Sequence, residues 1–249
     1  MTMNLILDLG NYRCKWALAG AGLQPGRAFA YGDDFSRALD HAFGELPRPA
    51  RVAAVSVAGV ARTDTLAHWV QNHWNLELAR FGARATQCGV TNTYKDPPQL
   101  GDDRWAALIA ARARVSVAVC VVDCGTAVTV DALDASGVFR GGVISPGVTL
   151  MRASLTQSTQ GIHATAGNPG SCLAQTTADA VAAGIFYSLA GAIDRILDEQ
   201  AIALNATPRV LLTGGDAPAV QALLRHTTEF VPDLVLEGVA RLSSTEGAA

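Results

Sequence analysis

Basic residues are few and nowhere clustered. Nineteen Lys and Arg face 22 Asp and Glu, for a net charge of -3, and the aromatics do not alternate with the basic positions. That excludes a general nucleic-acid binder. Charge of either sign is scarce at 16%, while hydrophobic residues reach 49%, a balance that suits a well-buried α/β protein. Cysteine is present only as five scattered residues: Cys14, Cys88, Cys120, Cys124 and Cys172. The count is odd, and no Cys-x-x-Cys or Cys/His pair has zinc spacing, so free thiols in a reducing compartment are expected. Cys120 and Cys124 read as small apolar fillers. The opening MTMNLILDLGN has no basic region, and its short apolar run stops at Asp8, unlike a secretory leader. No stretch is expected to approach a membrane span. The expectation is a cytoplasmic protein with neither membrane nor nucleic acid as partner. A chain of 249 residues holds one large or two small domains.

What is present centres on Val117 to Asp131, VAVCVVDCGTAVTVD. Two β-branched runs flank Asp123-Cys124-Gly125-Thr126, which reads as strand, tight turn and strand. A strand-end aspartate needs a positive partner. Gly125 lets a backbone approach a ligand, and Thr126 offers a hydroxyl. On this stretch alone, an ordinary hairpin turn is the simpler reading. The N-terminus repeats the pattern, however. LILDLGNYRCKWAL aligns without a gap on CVVDCGTAVTVDAL, with Asp8 over Asp123, Gly10 over Gly125 and Asn11 over Thr126. Two such units suggest a duplicated domain.

The remaining pattern alternates helices and strands, giving an α/β fold with domains at 1–114 and 115–249. Asp33 or Asp34 caps a first helix that stops at Gly44, and Thr63 caps a second. Gln87 to Gln99 reads as loop, and Leu100 to Arg104 opens a helix, Trp105 to Arg114. Gly141 to Gly147 is glycine-rich. Thr177 caps a long helix to about Leu204 whose Ile185, Leu189, Ile193 and Ile196 share one side. A last strand is expected at Phe230 to Leu236, followed by a frayed tail, Ser243 to Ala249. Gly-bearing loops end three strands, at Asp8–Asn11, Asp123–Thr126 and Thr213–Asp216, where ligands of open α/β sheets collect.

These loops have the parts for phosphoryl transfer, which needs amides around phosphate, a carboxylate for Mg²⁺ and a base near the acceptor hydroxyl. Gly10-Asn11 and Gly125-Thr126 supply the amides, Asp8 the carboxylate, and Asp123 a second cation candidate. Gly214-Gly215 gives a flat surface for a base or ribose. Asp103 is the candidate base; from the local pattern alone a helix N-cap is the simpler reading. Arg104 fits a substrate carboxylate or, more plainly, a surface ion pair with Asp102 or Asp103.

Four motifs occur in order: Asp8-x-Gly10-Asn11, then Tyr94-x-x-Pro97-x-x-Leu100-Gly101-x-Asp103-Arg104, then Val122-Asp123-x-Gly125-Thr126-Ala127-x-Thr129, then Gly141-Gly142-x-Ile144-x-Pro146-Gly147. The set resembles type III pantothenate kinase, the CoaX type, a family that includes the Bvg accessory factors. The resemblance implies two ribonuclease-H-like domains of the actin/hexokinase/Hsp70-like (ASKHA) ATPase superfamily. It implies ATP-dependent phosphorylation of pantothenate, Mg²⁺, a monovalent cation (K⁺ or NH₄⁺) and a homodimer. By motif, Asp8, Leu9, Gly10, Asn11, Tyr12, Arg13, Cys14 and Lys15 form the first phosphate loop. Asp103 is the proton acceptor. Tyr94, Gly101, Asp102, Asp103 and Arg104 contact pantothenate, with Thr177 (runner-up Thr176), seven residues before Gly184. Asp123 takes the monovalent cation and Thr126 contacts ATP. Tyr12 departs from the family's usual Ser or Thr, replacing a small hydroxyl by a phenol. The alternatives are a non-catalytic accessory protein on the same scaffold, or a superfamily kinase or phosphatase with another substrate.

Overall fold

The computed structural model describes residues 3–162 and 167–245. Two compact units divide the chain: Met1–Arg114 with Gly137–Phe139 and Asp233–Ala249, and Val115–Ser136 with Arg140–Pro232.

In the first unit, β1 (Asn4–Leu9), β2 (Arg13–Ala19) and β3 (Arg27–Ala30) precede α1 (Phe35–Phe43), β4 (Val52–Ser56), α2 (Val60–Trp74) and β5 (Leu78–Arg80). The short strands β6 (Thr86–Gln87) and β7 (Val90–Asn92) and a 3-10 turn (Pro97–Gln99) lead to α3 (Asp102–Arg114). The main sheet runs β3-β2-β1-β4-β5, antiparallel from β3 to β1 and parallel from β1 to β5. Leu5, Leu7 and Leu9 of β1 enter one core with Leu39, Phe43, Leu66 and Trp69 of α1 and α2. Trp16 meets Phe43 edge-on at 5.3 Å, and the Trp69 indole N–H donates to Asp40 at 2.7 Å. A buried indole with a satisfied N–H combines a large apolar area with a fixed orientation.

Asp34 caps α1 as expected, accepting from the Arg37 amide at 3.1 Å. Thr63 does not cap α2. The helix starts a turn earlier, after Gly59, and the Thr63 hydroxyl donates back to the Gly59 carbonyl at 2.9 Å. This return bond is the local competitor that a cap signal in sequence conceals. The segment Gln87 to Gln99, expected as loop, contains β7, which pairs in parallel with Val138 and Phe139.

The second unit contains β8 (Val119–Cys124), β9 (Ala127–Leu133), the main part of β10 (Val138–Pro146), α4 (Val148–Ser158), α5 (Thr177–Leu204), β11 (Arg209–Thr213), α6 (Ala217–Gln221) and β12 (Glu229–Phe230). Its strand order β10-β9-β8-β11-β12 repeats that of the first unit, with the antiparallel β8/β9 hairpin and parallel β8, β11 and β12 in matching places. The duplication read from two Asp-x-Gly turns is therefore one of topology. The gapless alignment slips after the turn: Asp8 faces Lys15, whereas Asp123 faces Thr129, one place earlier than the alignment implies.

α5 corrects two expectations. Its N-cap is Thr176, not Thr177; the Thr176 hydroxyl accepts from the Asp179 amide at 3.1 Å and donates to its carboxylate at 2.8 Å. The helix also has the length and apolarity of a membrane span, with 28 residues and a mean hydropathy of 1.5 over its most apolar window. Its Ile185, Phe186, Leu189, Ile193 and Leu197 are buried among β8, β9 and β11, so it serves as a core helix.

The C-terminus departs most from expectation. Only Glu229–Phe230 is strand, and Leu234–Thr245 forms a helix, α7, grouped with the first unit rather than with 115–249. Val235, Val239 and Leu242 recur at helical spacing and are buried, a period hidden inside a short apolar run. Residues 246–249 of the expected tail lie outside the described residues. α7 lies along α3 so closely that a Cβ on Gly238 would stand 1.9 Å from the Ala106 carbonyl oxygen. Gly238→Ala forces the two helices apart, and thermal denaturation should show a Tm lower by roughly 2–10 °C.

Candidate active site

Within the first unit, β1 delivers Asp8, only 8% exposed, to a position opposite Lys15 on β2. The intervening turn is closed by the Gly10 amide donating to the Arg13 carbonyl at 3.1 Å. Cys14 lies behind it, its thiol raised well above the ordinary value by burial and by the Asp8 charge, so it is an inert filler. Tyr12 is exposed.

Asp103 is the second residue of α3, so it is not the N-cap; the Trp105 amide donates to the Gly101 carbonyl at 2.9 Å, which puts the cap at Gly101. The Asp103 carboxylate accepts from the Arg104 amide at 2.7 Å. Gly101 is required beside it, because a Cβ there would fall 2.7 Å from Asp103 Oδ1. Burial raises the Asp103 pKa; the Arg104 amide and guanidinium and the Lys15 ammonium offset part of the rise. A carboxylate tuned upward and faced by cations has the character of a general base.

Arg104 is buried at 7% exposure rather than lying at the surface as the sequence suggested. It donates to the Tyr94 hydroxyl at 3.2 Å and lies 6.0 Å from the ring centres of Tyr94 and Phe139. Tyr94 is fixed in turn by its amide bond to Asn92 at 3.0 Å. Asp102 faces another way, accepting from the Ala83 amide at 3.2 Å. It lines a cavity of about 280 Å³ with Ser56, Thr63, Arg80 and Phe81. Its pKa is raised by burial, partly offset by that amide and raised further by Asp103.

Within the second unit, Asp123 ends β8 next to Thr213 of β11. The Gly147 amide donates to the Thr126 carbonyl at 2.9 Å, and the Asp216 amide to the Cys124 carbonyl at 3.0 Å. Gly214 has φ +98, and a Cβ there would meet Cys124 O at 2.4 Å and Asp123 Oδ1 at 2.5 Å. Only glycine fits this left-handed, close approach. Asp123, Thr126, Gly147 and Gly214 therefore form one cluster. Cys124 behind them is pushed up to about 12 by burial, Asp123 and Asp216. Thr177, exposed in the first turn of α5, is not drawn into that cluster by any hydrogen bond described here. Among the described residues no three His, Cys, Asp or Glu side chains group as a metal site.

The sequence profile of the type III pantothenate kinase family matches residues 4–199. The chain belongs to the type III pantothenate kinase family. A type III pantothenate kinase of Nitrosococcus oceani is 38% identical over 97% of this chain and 94% of the relative. That of Alkalilimnicola ehrlichii is 40% identical over 98% of each chain. A solved glucokinase from an Antarctic psychrotroph shares the fold, at 13% identity and TM-score 0.52 over 98% of this chain and 99% of its own. The mixed α/β architecture with two sheets is thus that of the sugar-kinase and ASKHA-type ATPases.

Motif reading missed two residues of this pantothenate kinase family member, Tyr31 and Arg62, which touch the first loop. Tyr31 donates its hydroxyl to the Gly10 carbonyl at 2.5 Å, and Arg62 donates to that of Asn11 at 3.1 Å. Neither lies in a motif, and only the β2/β3 pairing, which the sequence does not announce, brings Tyr31 there.

The raised Asp103 pKa sets the sign of the pH dependence. Below it the carboxyl is protonated and cannot take a proton, so kcat/KM falls as pH falls through a value above the ~3.9 of free aspartate. Lys15→Met removes a charge that lowers this pKa, and the acid limb of the pH–rate profile should move to higher pH.

Proposed function

We propose that the protein transfers the γ-phosphoryl group of ATP to the primary hydroxyl of pantothenate, giving 4'-phosphopantothenate and ADP, the first step toward coenzyme A. The observation that carries this reading is Asp103, a recessed carboxylate between Lys15 and Arg104 in a chain matched to the family along nearly its whole length.

Asp103 takes the proton of the pantothenate hydroxyl as its oxygen bonds to the γ-phosphorus and the bond to the bridging oxygen of ADP breaks. Catalysis of this kind rests on positioning and charge neutralisation. In the first unit, the Asp8 to Lys15 turn receives phosphate, and Tyr94, Gly101 and Arg104 hold pantothenate, with Asp102 beside them turned to the Ala83 amide. Arg104 is suited to its carboxylate. In the second unit, Thr126 contacts ATP and Asp123 holds the monovalent cation, K⁺ or NH₄⁺. Thr177 is the further pantothenate contact, a role favoured over Thr176 because the Thr176 hydroxyl is engaged in capping.

The donor set fits Mg²⁺, which prefers one or two carboxylates with phosphates and waters over an all-protein cage. Asp8, a carboxylate at a strand end, would hold it directly or through water. When bound, the ion neutralises charge on the phosphates. A homodimer is supported by the outward side of α5, where Gly184, Tyr187, Gly191 and Ala192 are exposed between stretches of core-facing residues. The reading places the protein in the cytoplasm.

The test is an assay of purified protein with ATP against pantothenate and a panel of sugars, with and without K⁺. Phosphopantothenate should form, K⁺ or NH₄⁺ should stimulate, and sugars should be ignored. Asp103→Asn should lose about 10²–10⁴-fold in kcat. Normal turnover by that variant removes Asp103 from the chemistry, and sugar turnover without pantothenate turnover overturns the substrate.

A further inference from the structure

A loop that binds phosphate through its amides must turn its carbonyls elsewhere, and those carbonyls still need donors. In the Gly10–Arg13 turn the donors are two side chains from outside the hairpin. The Tyr31 hydroxyl lies 2.5 Å from the Gly10 carbonyl oxygen and 3.0 Å from that of Arg13. Arg62 Nη1 donates to the Asn11 carbonyl at 3.1 Å. The two donors brace each other, since the Arg62 guanidinium lies 4.7 Å from the centre of the Tyr31 ring. Phe35 steadies that ring edge-on at 4.8 Å.

The peptide plane turns these contacts into a statement about the amides. In a trans peptide, C=O and the following N–H point in opposite directions, and no cis bond occurs among the described residues. Holding the Gly10 and Asn11 carbonyls toward Tyr31 and Arg62 therefore aims the Asn11 and Tyr12 N–H groups the other way. The geometry points to Tyr31 and Arg62 as positioning residues that set the amide face of the phosphate loop. This rests on the reading of that loop given under the proposed function.

Burial of Tyr31, with the Asp8 charge nearby, holds its hydroxyl protonated well beyond the ordinary tyrosine range, so it remains a donor at every working pH. The hydroxyl is not needed to close the sheet: β2 and β3 already pair from Arg13–Ala30 to Trp16–Arg27. Its loss should loosen the loop and leave the unit folded.

The experiment compares Tyr31→Phe, Arg62→Ala and Arg62→Lys with the wild type. It uses KM for each substrate, calorimetric binding of Mg·ATP without pantothenate, and Tm. Loss of one such bond is expected to weaken ATP binding and raise KM for ATP roughly 3- to 10-fold. KM for pantothenate and Tm should change little, and Arg62→Lys, which keeps one donor, should recover part of the loss. Unchanged ATP binding in Tyr31→Phe and Arg62→Ala overturns the proposal. So does a loss shared equally by both substrates together with a lower Tm, which marks a merely structural role. ATP binding by a wild type that does not phosphorylate pantothenate sinks the substrate reading alone, and calorimetry of the variants still decides the positioning role of Tyr31 and Arg62. A wild type that binds no ATP overturns both.

Discussion

The first unit is governed by the cost of keeping carboxylates at the ends of buried elements. Asp8 lies one residue from the end of a strand whose three preceding residues are all buried, and Asp103 sits at the head of a helix whose next eight residues are buried. An ionised carboxylate out of water needs N–H groups or cations close by. Asp103 has the Arg104 amide, with the charges of Arg104 and Lys15 near it. The compensation is incomplete, since burial still wins and the pKa stays raised. That imbalance is what makes Asp103 fit to accept a proton. The apolar packing that stabilises the fold and the raised basicity of Asp103 are thus one arrangement.

The second unit repeats the strand order but treats its aspartate differently. Asp123 is only partly buried, with Gly214 close on one side and the Gly125 turn on the other. The turn after β8 is one residue shorter than that after β1, which removes the place equivalent to the Lys15 partner. The same supersecondary unit therefore presents a carboxylate opposite a lysine in one copy and a carboxylate closely approached by glycines in the other.

Much of this was legible in the sequence where a residue's chemistry and its period agreed. The two Asp-x-Gly hairpins, the Asp34 cap and the Leu-Gly-x-Asp-Arg helix start could be read because each is local. The site contacts around Tyr94 and Arg104 could be named by motif, but not their geometry. Arg104 reads as a surface ion-pairing residue until Tyr94 and Phe139 are brought over it by the β7–β10 pairing. A threonine near a helix start gives the same signal whether it caps, as Thr176 does, lies one place inside, as Thr177 does, or bonds back, as Thr63 does. Tyr31 and Arg62 carry no local signal, as their meaning depends on partners 21 and 51 residues away. The final helix was misread as strand because Phe230 to Leu236 is apolar at either period; only its contact with α3 decides between them.

That final helix has a consequence for synthesis on the ribosome. Gly238 closes on Ala106, the Arg114 guanidinium grips Glu237 through two bonds of 2.6 Å, and Arg51 donates to the Ser243 carbonyl at 2.8 Å. The helix that carries Asp103 is thus roofed by a segment made only after the whole second unit. Domains ordinarily fold as they emerge, N-terminal first. Here the N-terminal unit waits, its α3 face uncovered, until the whole second unit has been translated. A nascent chain or a product of premature termination would hold every motif of the site and still lack the packing that sets it.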